Sequence, residues 1–193
     1  MSAEPILLER SREGRTMFLA VYDLDNLFYP TKVLTHRDDI NAALASSSIA
    51  CERHESFAAL DPSVLESDAG LLAASSEYRT GPSTCSSVLC LAGLPAYVNP
   101  SDVVVEPEQR CADAVRWLFV RGTGQLAVTS QDSLLVMECS AGDLVALPSQ
   151  ARHWFRPDPG QSCVILTIAQ SAEGLVRRPS GGDLASRFPG FGL

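Results

Sequence analysis

Short apolar runs broken by turn residues fill the second half of the chain. VLCLAG, AYV, DVVVE, VRWLFV, GQLAV, LLVMEC, DLVAL and CVILTIA alternate with GTG, SAGD, PSQ and PDPG. Regular short strands with such punctuation predict an antiparallel sandwich or barrel. The first half has a different texture. Residues 17–22 (MFLAVY) form a β-prone apolar strand ahead of the turn-rich DLDN. Thr35, with Asp38 three residues on, makes a variant capping box before Ile40, Ala43 and Leu44, which predicts a helix start. IACERHESF reads as a strand, and DPSVLESDAGLLAASSEYR, entered through Pro62, as a second helical region ending before Gly81 and Pro82. The closing GGDLASRFPGF predicts a short helix packed on the barrel. The helical amino-terminal segment suits an immunoglobulin-type sandwich poorly. The expected architecture is therefore mainly β, with a few α-helices in the N-terminal half and a short C-terminal helix.

A length of 193 residues fits one domain. There is no internal repeat or linker, so residues 16–193 are expected to form a single domain, preceded by a charged and polar tail at 1–15 that is expected to be disordered. The formal net charge of -8, with basic residues scattered, would repel nucleic acid and anionic membranes. Neither is an expected partner; a small molecule is, and a homo-oligomer remains open. The start of the chain lacks the apolar stretch of a secretory signal, and no later run approaches the roughly 20 apolar residues of a membrane span. A cytoplasmic location is the expectation. Cys51, Cys85, Cys90, Cys111, Cys139 and Cys163 show no paired CxxC spacing, so reduced thiols are expected rather than a zinc knuckle.

The segments VRWLFVRGTGQLAV and SAGDLVALPSQARHWF have the pattern of the two cupin motifs, in which a glycine turn and a GD…P step set up an inward histidine. Together with VYDLDNLFYPT, HRDDINAAL, IACERHES and EGLVRRPSGGDLASRFPGF, they make the chain resemble the bacterial acireductone dioxygenases over nearly its whole length. The resemblance implies a cupin-type antiparallel β-barrel. It also implies Fe(II) or Ni(II) held by three histidines and a glutamate, and oxidation of an ene-diol of the methionine salvage pathway by O₂.

In this sequence the second-motif histidine is His153. Aligned on the GTG turn, Gln109 and Cys111 stand where two histidines belong and Val115 where the glutamate belongs. A register shifted by one offers Glu108, Arg110 and Ala114. The pocket arginine becomes Trp117, or Arg116 after the shift, and the tryptophan of the EGW motif is Leu175. A divalent ion needs several N, O or S donors converging at about 2.0–2.3 Å, and one imidazole does not supply them. No cofactor is expected on this count. Fe(II), Ni(II) or Zn(II) is the alternative, with His153 joined by Glu108, Cys111 or Asp113.

The ungapped register puts Gln109, Cys111, Val115, Trp117 and Phe119 on one inward face, opposite His153 and Phe155, as a lined pocket. His153 and Cys111 are then the candidate catalytic pair, and Gln109, Val115, Arg116, Trp117, Phe119 and Phe155 the substrate-binding set. Cys111 and Val115 also read as volume fillers, and His153 as a core histidine bonded to a carbonyl. Arg116, Arg121, Arg152 and Arg156 would bring positive charge to the barrel mouth. His36 and His54 read as local or packing residues.

Three functions follow. The first is a small-molecule enzyme working without a redox metal, by acid/base isomerisation, dehydration or cyclisation, with specialised metabolite biosynthesis as its natural setting. The second is a metal-dependent acireductone dioxygenase, and the third a non-catalytic ligand-binding or regulatory cupin.

Overall fold

The computed structural model describes residues 17–54, 67–78, 85–92 and 106–190. The expectations for residues 1–15, for the helix entry at Pro62, for AYV and for most of DVVVE lie outside them. Among the described residues the strands are β1 (Leu19–Asp23), β2 (Lys32–Leu34), β3 (Ala50–Arg53), β4 (Cys85–Ala92), β5 (Gln109–Arg110), β6 (Val115–Arg121), β7 (Thr123–Thr129), β8 (Ser133–Ser140), β9 (Asp143–Leu147), β10 (Arg152–Pro157), β11 (Ser162–Ala169) and β12 (Arg178–Pro179). The helices are α1 (Arg37–Ala45), α2 (Asp68–Ala74), which runs into a 3₁₀ turn at Ser75–Tyr78, and the single-turn α3 (Leu184–Arg187). The mainly β architecture predicted from the apolar runs is the one observed.

The strands form a seven-stranded sheet in the order β12-β5-β10-β7-β8-β1-β2 and a five-stranded sheet in the order β3-β9-β6-β11-β4, with every pairing antiparallel. Because side chains alternate along a strand, each sheet has an inner and an outer face. The inner faces share one core that includes Trp117, Phe119, Phe155, Leu126, Met137 and Ile165. The outer face of the seven-stranded sheet carries Trp154 and Tyr22, capped by Leu184, Ala185 and Phe188 of the C-terminal segment. Leu71 and Tyr78 cap the outer face of the five-stranded sheet over Leu118, Val120 and Leu166. Apolar residues on both faces of the central strands explain why the runs read as nearly continuous rather than alternating.

The predicted cap at Thr35 is corrected. The N-cap is His36, in extended conformation with no side-chain cap hydrogen bond, and its carbonyl accepts from the Ile40 N–H at 2.9 Å. Thr35 stands one residue too early for its hydroxyl to reach the first-turn amides. All six cysteines are free, and no helix among the described residues is long and apolar enough to cross a membrane.

A buried carboxylate fastens the C-terminal segment to the sheet. Glu108 is 1% exposed. It accepts hydrogen bonds from Thr129 Oγ1 at 2.7 Å and Ser180 Oγ at 2.8 Å, and Arg152 Nε lies 3.7 Å away. Its backbone carbonyl takes the Ser180 N–H at 2.9 Å. A carboxylate removed from water is tolerated when its lone pairs are used in this way. Gly182 packs against it so closely that a Cβ there would sit 1.8 Å from Glu108 Oε2.

Two stability predictions follow from this packing. A Cβ at Gly124 would meet Arg156 O and Phe155 Cζ at 2.5 Å each, so Gly124→Ala should cost about 1–3 kcal/mol of overpacking strain, read as a lower urea midpoint at unchanged slope. Glu108→Ala leaves Thr129 and Ser180 without their acceptor and should cost about 3 kcal/mol. Faster hydrogen exchange at the Ser180 amide, with the amides of β8 unaffected, would report local release of the C-terminal segment.

Candidate functional site

The site is organised by β10. His153 pairs with Val128 of β7 on one side and with Gln109 of β5 on the other, and directly opposed residues of antiparallel strands project on the same face. His153, Gln109 and Val128 therefore point inward together, as does Phe155 two residues on. Arg152, Trp154 and Arg156 project outward by the same alternation. Cys111, Val115, Trp117, Phe119 and Phe155 pack in the inner core, so the structure does bring these residues to one side.

His153 is 1% exposed. Its Nδ1 lies 2.9 Å from the Ala151 carbonyl oxygen, which can only accept a proton donor. Nδ1 of the neutral ring consequently carries the hydrogen, and Nε2 presents a lone pair. Among the described residues Nε2 has no hydrogen-bond partner, and neither has Nε1 of Trp117, whose ring meets the imidazole edge to face with centroids 5.2 Å apart. Burial pulls the His153 pKa below its ordinary 6.5; the Ala151 hydrogen bond opposes this, the Arg177 charge adds to it and the Glu108 charge opposes it. The ring is thus neutral at pH 7. Burial likewise pushes the Cys111 thiol up, with Arg177 partly offsetting the shift. Cys111 is a protonated thiol, suited to donating a proton and poorly suited to nucleophilic attack.

Phe119 and Phe155, expected as walls of a pocket, are core residues, exposed by 0% and 1% and packed on each other at 5.3 Å. An open pocket of about 350 Å³ lies instead where Pro107, Gln109, Arg177 and Pro179 meet; of these, Gln109 is the strand partner of His153. Arg177 is the residue that the sequence reading missed. It sits just before β12, and alternation puts it on the same face as Pro179, which pairs with Gln109. The RRP of the C-terminal segment was visible in the sequence, but its docking on β5 was not.

Three of the four arginines named for the barrel mouth, Arg116, Arg152 and Arg156, are corrected. Arg116 alternates with Val115 and Trp117, so it projects to the outer face and donates to the Tyr78 carbonyl; it does not join the substrate-binding set. Arg152 faces Glu108, and Arg156 donates to the carbonyls of Phe188 and Pro189, both on the outer face. Arg121 is exposed at the end of β6.

The substitute metal set is also not assembled. Glu108 has the opposite parity to Gln109 and faces away from His153. Asp113 accepts from Ser171 Oγ at 2.5 Å beside Gly174, in the loop after β11. Among the described residues no three His, Cys, Asp or Glu side chains form a group able to hold a metal ion. The remaining histidines lie elsewhere: His36 is exposed at the start of α1, and His54 stacks edge-on against Tyr78 at 4.9 Å. A set of three histidines and a glutamate does not fit these residues, because at the aligned positions only His153 offers an imidazole, beside an amide, a protonated thiol and an isopropyl group.

No family model matches the chain. It is 28% identical over 180 residues to an acireductone dioxygenase of Pseudomonas syringae, an alignment covering 89% of this chain and 96% of that relative. It is 27% identical over 175 residues to an acireductone dioxygenase of Pseudomonas aeruginosa, with the same shares covered. Its fold superposes on an acireductone dioxygenase of Bacillus anthracis that has a cadmium ion in the active centre, with a TM-score of 0.64 at 18% identity over 84% of this chain and 98% of that one. Agreement along almost the full length of these relatives, with the same cupin-type fold, means that the chain resembles the acireductone dioxygenase family in sequence and in fold.

Proposed function

We propose that this protein is a small-molecule enzyme of the cupin barrel that moves protons by acid/base catalysis without a redox metal. One observation carries the reading: a buried, neutral imidazole whose Nε2 is unpartnered among the described residues, beside an indole N–H that is likewise unpartnered among them. Orphaned buried polar atoms cost free energy, and a substrate oxygen bound between them would satisfy the indole. In the reaction, Nε2 of His153 takes a proton from a carbon next to a carbonyl, and the electron pair moves onto the carbonyl oxygen, towards which Trp117 Nε1–H donates. The imidazolium then returns the proton. Delivery to a different carbon is isomerisation, delivery to a departing hydroxyl is dehydration, and capture of the enolate by an internal electrophile is cyclisation. Gln109 orients the substrate, the Cys111 thiol is an auxiliary proton donor, and Val115, Trp117, Phe119 and Phe155 set the shape and dryness of the interior. A role in specialised metabolite biosynthesis suits such reuse of the barrel.

The alternative is a metal-dependent acireductone dioxygenase, favoured by the names of the relatives. The two readings part on one experiment. Metal analysis of the purified protein, with O₂ uptake on an ene-diol substrate, should give substoichiometric iron and nickel and no His153-dependent O₂ consumption. Stoichiometric iron or nickel that is lost on His153→Ala would establish the dioxygenase instead.

The state of His153 gives a second test, independent of substrate. Its folded pKa lies below its unfolded value, so at pH near 6.5 and below the unfolded chain binds more protons than the native one. The His153 contribution is fully present above pH 6.5 and is lost as pH falls from 6.5 through the folded pKa. Urea unfolding at pH 5 to 7 should show this decline in the wild type and less of it in His153→Gln, and a ¹⁵N spectrum at pH 7 should show a pyrrole-type Nδ1 and a pyridine-type Nε2.

A further inference from the structure

Two of the residues that line the open pocket, Gln109 and Arg177, already hold a carboxylate of the chain itself. Glu106 Oε2 accepts from Gln109 Nε2 at 3.2 Å and lies 3.4 Å from Arg177 Nη1. Gln109 and Arg177 come from different segments, the approach to β6 and the C-terminal segment, and converge on this one oxygen at the pocket wall. An amide and a guanidinium aimed at the same point form a two-pronged carboxylate receptor. Glu106 and Arg177 are both partly solvent-exposed, with side chains 35% and 29% accessible, so the pair can open at little cost.

We propose that Gln109 and Arg177 form the specificity clamp for a substrate carboxylate, and that Glu106 is an intramolecular stand-in which the substrate displaces. The proposal rests on the reading of His153 as the acid/base group and names its substrate class: a small carboxylate whose reactive carbon reaches His153 while its anionic end is held at Gln109 and Arg177. The placement is physically consistent. The pairing of Gln109 with His153 sets the clamp one strand away from the base, about 5 Å between opposed backbones. Arg177 also acts on His153 by charge, favouring the neutral ring that a base requires. Displacement of Glu106 further sets a preference: an uncharged ligand cannot replace the ion pair it would break, so it is rejected. The clamp lies within an acidic chain, where a local guanidinium is what gives an anion a reason to bind.

The test is equilibrium binding of malonate, with malonamide as the uncharged isostere, followed by the amide signals of Gln109 and the indole N–H of Trp117. Malonate should bind and malonamide should not. Glu106→Gln removes the competitor and should tighten malonate binding by about 3-fold. Arg177→Met should weaken it by about 10-fold or more, and Arg177→Lys should fall between because a point charge lacks the fork. Thermal unfolding of each variant confirms that it is folded; Glu106→Gln reads the clamp through a gain that misfolding cannot imitate. Unchanged binding in Arg177→Met, weaker binding in Glu106→Gln, or no response to malonate in any form overturns the clamp. Absence of malonate binding with the pH signature of His153 intact overturns the clamp alone, whereas loss of that signature with malonate still bound overturns only the acid/base reading.

Discussion

The pairing of β10 with β5 is the constraint on which the site depends. Opposed residues share a face, so the His153–Gln109 pair fixes at once what faces the interior and what faces away. A shift of one residue would exchange Gln109 for Glu108 and send a carboxylate into the barrel beside the imidazole. The observed register does the reverse. Glu108 turns outward, where Thr129, Ser180 and Arg152 satisfy it, and it becomes the peg that holds the C-terminal segment. The same peg brings β12 against β5 and so sets Arg177 at the pocket wall. Structure and chemistry here have one cause: a buried acid that must be paired, on a strand whose alternate residue lines the site.

Burial is the largest influence on the titratable groups of the interior. Burial favours uncharged forms of both His153 and Cys111, and Arg177 adds to that preference at His153 while opposing it at Cys111. A neutral imidazole with a defined tautomer is a base; a protonated thiol is a donor. Neither resembles the thiolate–imidazolium pair of a nucleophilic enzyme, in which a cationic neighbour would stabilise the charged thiolate. Likeness to the acireductone dioxygenases therefore goes together with an interior that holds a neutral imidazole and a protonated thiol.

Much of the fold was legible because it rests on local rules. Apolar runs punctuated by GTG, SAGD and PDPG set β6 to β11 nearly in place, and the inward face of Cys111, Val115, Trp117 and Phe119 followed from a period of two. Thr35 misled because capping residues compete within one position of each other, and which residue becomes the N-cap depends on how the chain leaves β2. The arginines misled for a different reason. Arg116, Arg152 and Arg156 sit within the motifs, but alternation sends them outward, where Tyr78, Glu108 and the carbonyls of Phe188 and Pro189 receive them.

The sequence by itself determined the strands, their faces and the identity of the single imidazole at the motif positions, since these depend on residue type and on spacing over a few neighbours. Tertiary structure decided which groups meet: Glu108 with Ser180 across 72 positions and Arg177 with Glu106 across 71. No local pattern encodes such contacts. They arise when the C-terminal segment docks as β12 on the edge of a sheet, and only there does an arginine of the tail become part of a site built around His153.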